Sequence, residues 1–75
     1  MISLDILKPG DKAIIKSIQG DTAEEAHLME MGLLVGTPIQ FIKTAPLGDP
    51  IEIRVRGYHL SIRRSEARTI LVEKA

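Results

Sequence analysis

Ile51-Glu52-Ile53-Arg54-Val55-Arg56-Gly57-Tyr58-His59-Leu60-Ser61-Ile62 is the stretch on which the fold of this chain turns. Its first six residues alternate between apolar and charged, the pattern of a strand with one buried and one wet face. Gly57-Tyr58 fits a type II′ turn, in which Gly takes the first central position. A two-residue loop there sets the register: Arg56 faces His59, Val55 faces Leu60, Arg54 faces Ser61, Ile53 faces Ile62 and Glu52 faces Arg63. Each apolar side chain then meets another, and Glu52 meets an opposite charge.

The flanking sequence extends this hairpin into a sheet. Ser3 is placed to cap a short turn over Leu4 to Leu7, and Lys8-Pro9-Gly10-Asp11 has the Pro-Gly chemistry of a tight turn. Lys12 to Ile18 follows as a strand with both faces largely apolar. Ile39 to Thr44 and Thr69 to Glu73 read as two more, and Ser65-Glu66-Ala67-Arg68 as a short capped turn. Between the first strands lies one helix. Thr22-Ala23-Glu24-Glu25 is a capping box, and Gly32 is the residue expected just past the helix end, so the spacing predicts Ala23 to Met31. Ala23, Ala26, Met29 and Leu33 form one apolar stripe on it, Leu28 and Met31 a second. One stripe covers the sheet; the other lies under a loop or faces a partner. The expected architecture is mainly β: a small closed barrel of about five strands with one short helix (about 23–31), forming a single domain over residues 1–75.

Composition narrows the function classes. Seventy-five residues bury only about 60% of their unfolded surface, which leaves little material for a deep substrate cleft beside a core. The chain has no cysteine, so disulfides, thiolate ligands and cysteine nucleophiles are excluded. No segment approaches the roughly 20 apolar residues that span a bilayer, and the N-terminus lacks the basic and apolar regions of a secretory signal, which makes the cytoplasm the expected location. Ten basic residues balance ten acidic ones, so no global field draws the chain to nucleic acid. The balance conceals polarity: residues 1–42 hold three lysines against six carboxylates, and residues 43–75 hold seven cations against four.

No catalytic constellation is legible. The serines, threonines and Tyr58 sit in no nucleophile elbow, and no Gly-rich phosphate loop is present. His27 with Glu30, or Glu24 with His27, would put two ligands for a ferrous ion on one helix face, but two ligands on an open helix bind adventitiously. The expectation is therefore no catalytic residue, no cofactor and no physiological metal site. Arg54, Arg56, Arg63 and Arg64 fall on or beside the hairpin's outer face. Three readings of them stand open: a solvated face with a Glu52–Arg63 pair, a patch for an acidic protein surface or anionic lipid beside a membrane partner, and a nucleic-acid contact, which the zero net charge and the scarcity of aromatic residues disfavour. In Ala45-Pro46-Leu47-Gly48-Asp49-Pro50, two prolines hold Leu47 at a loop tip, where it either tucks over the barrel mouth or serves as a pre-organised anchor.

Two runs carry a family resemblance. Leu28-Met29-Glu30-Met31-Gly32-Leu33-Leu34-Val35-Gly36-Thr37 resembles the Leu-x-x-(Leu/Met)-Gly-Leu-x-x-Gly-Thr signature of the ferrous iron transport protein A (FeoA) family. Ala45 to Ile53 with Gly57-Tyr58 resembles that family's second signature, and the likeness runs from about Leu4 to Val72. Val35 and His27 depart from it, standing where the family often has proline and arginine. The resemblance implies an SH3-like barrel that is a cytoplasmic accessory of ferrous iron uptake and not an enzyme. The implied partner is the membrane ferrous iron transporter (FeoB) with its GTP-binding domain; weak self-association is compatible with the same surface. The partner-facing residues expected are Met29, Leu47, Gly48, Asp49, Pro50, Arg54, Arg56 and Tyr58. The competing readings are a nucleic-acid-binding barrel and the detached barrel of an iron-responsive repressor, against which counts the absence of preceding DNA-reading helices.

Overall fold

The computed structural model describes residues 1–75. Its elements in chain order are β1 (Ile2–Ser3), a 3-10 turn (Leu4–Ile6), β2 (Lys12–Ile18), α1 (Thr22–Glu30), β3 (Pro38–Thr44), β4 (Ile51–Val55), β5 (Tyr58–Ile62), α2 (Arg64–Ala67) and β6 (Ile70–Lys74). The fold is mainly β. All six strands belong to one antiparallel sheet in the order β1-β6-β2-β3-β4-β5. Irregularities between Ile15 and Ser17 on β2 and between Phe41 and Lys43 on β3 interrupt the ladders, and such bulges bend a strand. The curved sheet gathers Ala13, Ile15, Ile39, Phe41, Ile51, Ile53, Val55, Ile62, Ile70 and Val72 into one core, joined by Leu4, Leu7, Leu28, Leu33 and Ala67 from turns and helices.

Several expectations are corrected. The sheet has six strands because β1, two residues long, pairs Ile2 with Val72 and Ser3 with Leu71; so short a strand has no period to read. No ladder joins β1 to β5, so the barrel is open along one seam and does not close. The hairpin turns one residue earlier than the Gly57-Tyr58 pattern suggested. Arg56 (φ 49°) and Gly57 (φ 92°) are its two central residues, both at positive φ as a type I′ turn requires. Val55 therefore faces Tyr58, Arg54 faces His59, Ile53 faces Leu60, Glu52 faces Ser61 and Ile51 faces Ile62. The shift amounts to two positions across the pair, so every side chain keeps its face and the core is the same. Glu52 consequently meets His59 (Nδ1 to Oε2, 3.2 Å) in place of Arg63. The early turn brings Tyr58 into the ladder, from which its hydroxyl donates to the Met31 carbonyl (2.7 Å) at the end of α1.

The helix starts one residue early as well. Asp21, not Thr22, is the N-cap, its Oδ1 accepting from the Glu24 N–H (2.8 Å). The far end follows the sequence: Gly32 takes φ +92°, its N–H donates to Met29 O (2.9 Å), and the Leu33 N–H reaches back to Leu28 O (3.1 Å). This is a Schellman termination, with Leu28 and Leu33 making the buried contact that accompanies it. The stripe that covers the sheet is the second one, Leu28 with half-buried Met31; of the first, Leu33 is buried in the core while Ala23, Ala26 and Met29 face outward. Near the C-terminus, α2 starts at Arg64, with Arg63 rather than Ser65 ahead of it, and Glu66 Oε1 accepts from the Arg63 N–H (2.8 Å).

Two turns are held by side chains. At Lys8–Asp11 the Asp11 N–H donates to Lys8 O (2.9 Å), and Asp11 Oδ2 accepts from the Lys8 N–H (2.9 Å). That backbone N–H, aided by the Lys74 ammonium, holds the Asp11 carboxyl below its ordinary pKa. The second is the loop between β3 and β4. Arg64 donates from Nε to Gly48 O (3.0 Å) and from a terminal nitrogen to Asp5 O (2.9 Å), and its N–H donates to Asp49 Oδ1 (3.0 Å). One half-buried guanidinium thus ties the loop to α2 and to the N-terminal turn.

Three substitutions test this account by urea unfolding. Gly32→Ala forces a side chain into positive φ and sets a Cβ 2.5 Å from the Tyr58 hydroxyl, so the chain is expected to lose about 1–2 kcal/mol. Thr37 is 0% exposed and its Oγ1 has no partner. Thr37→Val removes that unpaired hydroxyl at constant shape and is expected to stabilise by about 1 kcal/mol; destabilisation would show that the hydroxyl is satisfied. Arg64→Met keeps the stem and removes two donors, with an expected cost of about 1–3 kcal/mol and faster amide exchange confined to residues 45–50.

Candidate functional site

The residues expected to face a partner fall into two groups at opposite ends of the β3–β4 ribbon. β4 separates them by five residues, which in an extended strand is about 17 Å. At one end stands the loop after β3. The Gly48 N–H donates to Ala45 O (2.7 Å), and Ala45 and Pro50 are joined by an N–H to O bond of 3.0 Å, which makes the loop a short closed turn. Leu47 at its tip is 97% exposed, so the side chain stands out from the barrel instead of tucking over its mouth. Gly48 and Asp49 do something different from what their place in the motif suggested: the Gly48 carbonyl and the Asp49 carboxylate are taken up by Arg64. They hold the loop that presents Leu47.

At the other end lie Arg54, Arg56 and Tyr58, and the Tyr58 hydroxyl bonds to the Met31 carbonyl, two residues beyond Met29. Arg54 and Arg56 are exposed and neither is ion-paired, the five pairs of the molecule using Lys16, His27, His59, Arg68 and Lys74. Tyr58 is half-exposed with its hydroxyl already committed to α1, so it offers a ring face rather than a free donor. Met29 is exposed on the outward side of α1. Leu34 and Val35, which directly follow the helix, are also exposed. In the sequence they stand only within the Leu28–Thr37 motif. The signal was present in Gly32 and Gly36, both at positive φ, which bracket a tight loop that buries Leu33 and turns Leu34 and Val35 outward.

The helix histidine finds a partner from another element. His27 Nε2 lies 3.5 Å from Glu66 Oε2 of α2, and both line an open groove of about 410 Å³ between the two helices, with Glu24, Arg63, Ser65 and Thr69 on its walls. Nowhere do three or more His, Asp or Glu side chains converge in a way that could hold a metal ion. His59 is separately engaged with Glu52. No helix is long and apolar enough to cross a membrane. The arrangement is a surface: one apolar tip on a pinned loop, and one cationic and aromatic end of a hairpin.

Comparison with known proteins bears on this surface. A family model described as the FeoA domain matches residues 2–74. Among curated proteins, the Fe(2+) transport protein A/Fe(2+) transporter FeoB fusion protein of Porphyromonas gingivalis is 37% identical over 70 residues, which is 93% of this chain and 8% of that protein. The chain therefore spans only a small part of that relative's length. Among solved structures, the FeoA-like protein of Clostridium acetobutylicum is 41% identical, with a TM-score of 0.90 over 97% of this chain and 85% of that one. The FeoA of Stenotrophomonas maltophilia, solved in complex with zinc and described as a procaryotic SH3 domain protein, is 25% identical with a TM-score of 0.82, covering 97% and 91% of the two chains. A family model that matches nearly every residue, with solved FeoA structures that superpose over almost the whole chain, leaves one conclusion: the chain belongs to the FeoA family.

Proposed function

We propose that this chain is a cytoplasmic accessory of ferrous iron uptake that acts by binding the cytoplasmic, GTP-binding part of a FeoB-type membrane transporter, and that it performs no catalysis of its own. The observation that carries the reading is the fused relative, in which a domain 37% identical to this chain shares one polypeptide with a ferrous iron transporter. Fusion raises the effective concentration of two modules that work together. Where two such modules are not covalently joined, contacts at their surfaces must supply the equivalent free energy.

Leu47 is the anchor best suited to do so. It is 97% exposed, and its loop is already ordered by the Arg64 bonds, so docking loses little conformational entropy. Burying a leucine side chain contributes about 1.5–3 kcal/mol, or a 10- to 100-fold effect on affinity. Isothermal titration of the chain into the purified cytoplasmic region of its cognate transporter is expected to show one-to-one binding. Leu47→Asp is expected to weaken it at least tenfold while leaving the melting temperature within a few degrees. Absence of any association by the unmodified chain would overturn the reading.

A further inference from the structure

On the outer face of the sheet, β2, β3 and β4 form a shallow open groove of about 400 Å³ whose walls include Lys12, Ile14, Pro38, Gln40, Arg54 and Arg56. The strand registers order these side chains into two rows. Lys12 faces Gln40, Gln40 faces Arg54 and Arg54 faces His59, so one row runs across four strands. The adjacent row pairs Ile14 with Pro38 and leads toward Arg56 at the turn. One row is thus polar and cationic, and the other is apolar with Arg56 at its end. No ion pair within 4 Å engages Lys12, Arg54 or Arg56, and the acids beside the groove have other partners: Asp11 pairs with Lys74 (3.6 Å), Glu52 with His59 (3.2 Å), and Glu73, which faces Ile14 across the β2–β6 ladder, with Lys16 (3.7 Å); Ala75 also lines the groove.

Arg56 supplies a second, independent observation. It is the first central residue of a type I′ turn and adopts φ 49°. Asn, Asp and Gly accept that conformation readily, whereas arginine has no local reason to be there. Stability of the hairpin does not explain an arginine at this position; a charge presented at the hairpin tip does. Residues in sparsely populated backbone conformations cluster at positions used for binding.

We infer that this groove docks an extended acidic segment of a partner protein, with Lys12, Arg54 and Arg56 meeting its carboxylates and Ile14 and Pro38 its apolar side chains. The inference rests on the protein-binding role proposed above and names the chemistry of one contact. Charge complementarity selects an anionic occupant. The lining contains no aromatic residue on which a base could stack, and the chain has no net charge to hold a phosphate backbone, which favours a polypeptide over a single-stranded nucleic acid. The mixed apolar and cationic lining likewise suits a peptide better than a lipid headgroup.

Two measurements test this. In the first, the Arg54→Glu/Arg56→Glu double variant is titrated into the cognate transporter's cytoplasmic region. Affinity is expected to fall at least tenfold at 50 mM salt, with the gap narrowing at 500 mM as screening removes the contribution of the charges; the loss on Leu47→Asp should not depend on salt. Arg56→Asn is expected to raise the melting temperature and yet weaken binding, opposite signs that a purely structural arginine would not give. If the double variant binds like the unmodified chain, the groove is refuted while the accessory role stands. The second measurement needs no transporter. An Asp- and Glu-rich decapeptide containing two leucines is titrated into labelled protein, with an oligouridylate and phosphatidylserine vesicles in parallel. Amide shifts at Lys12, Gln40, Arg54 and Arg56 with the peptide support the groove even if the transporter fails to bind. No shifts there, or tighter binding of the oligonucleotide or vesicles, would overturn it.

Discussion

Ile51, Ile53 and Val55 have no exposed surface, and Ile39, Phe41 and Ile62 reach them from the neighbouring strands. A 75-residue chain has few such layers, and fully burying each aliphatic side chain contributes about 1.5–3 kcal/mol. Without this alternation on β4, neither β3 nor β5 has an inward face to match. The outward residues of the same strand, Glu52 and Arg54, are free to serve other purposes because they carry none of this burden. The core and the cationic groove are two faces of a single strand.

The helix contributes differently. Only Leu28 of α1 is buried, and the helix is fixed mainly at its C-terminal end, where the Gly32 termination, the Leu28–Leu33 contact and the Tyr58 hydroxyl converge. Its outward stripe is left uncovered. Arg64 performs a comparable task on the other side of the molecule, joining α2, the loop after β3 and the N-terminal turn through three bonds. Both devices satisfy backbone carbonyls that would otherwise lack partners, and both hold apolar residues outside the core: Met29 in one case, Leu47 in the other.

An exposed leucine and an arginine at positive φ are each locally unfavourable. They occur in a chain whose core is otherwise well satisfied, with Thr37 Oγ1 the one buried side-chain polar atom lacking a partner. Departures from local preference in a small, marginally stable fold are expected where a surface is kept for binding. The two lie at opposite ends of the β3–β4 ribbon, so a partner engaging both would span the length of the barrel face rather than fill a pocket.

Strand identity, the single main helix, the Pro-Gly turn and the family signatures were all legible in the residues, because periods of two and 3.6 and the chemistry of Gly and Pro are local properties. So was the exposure of Arg54 and Arg56, since alternation assigns faces, whereas Arg64, read on the same outer face, is half-buried. What could not be read was set by contacts between distant residues. The turn moved to Arg56-Gly57 because Val55–Tyr58 pairing lets Tyr58 reach α1, a partner 27 residues away. Asp21 capped the helix although Thr22 began an equally good box, β1 formed only because β6 lies beside it, and the seam stayed open for want of a ladder between β1 and β5. The role of Arg64, and with it the outward pose of Leu47, needed three segments to be brought together. Local sequence determined which residues face inward; tertiary structure decided where the chain turns and which outward residues are pinned, because those depend on hydrogen bonds between segments that only folding makes neighbours.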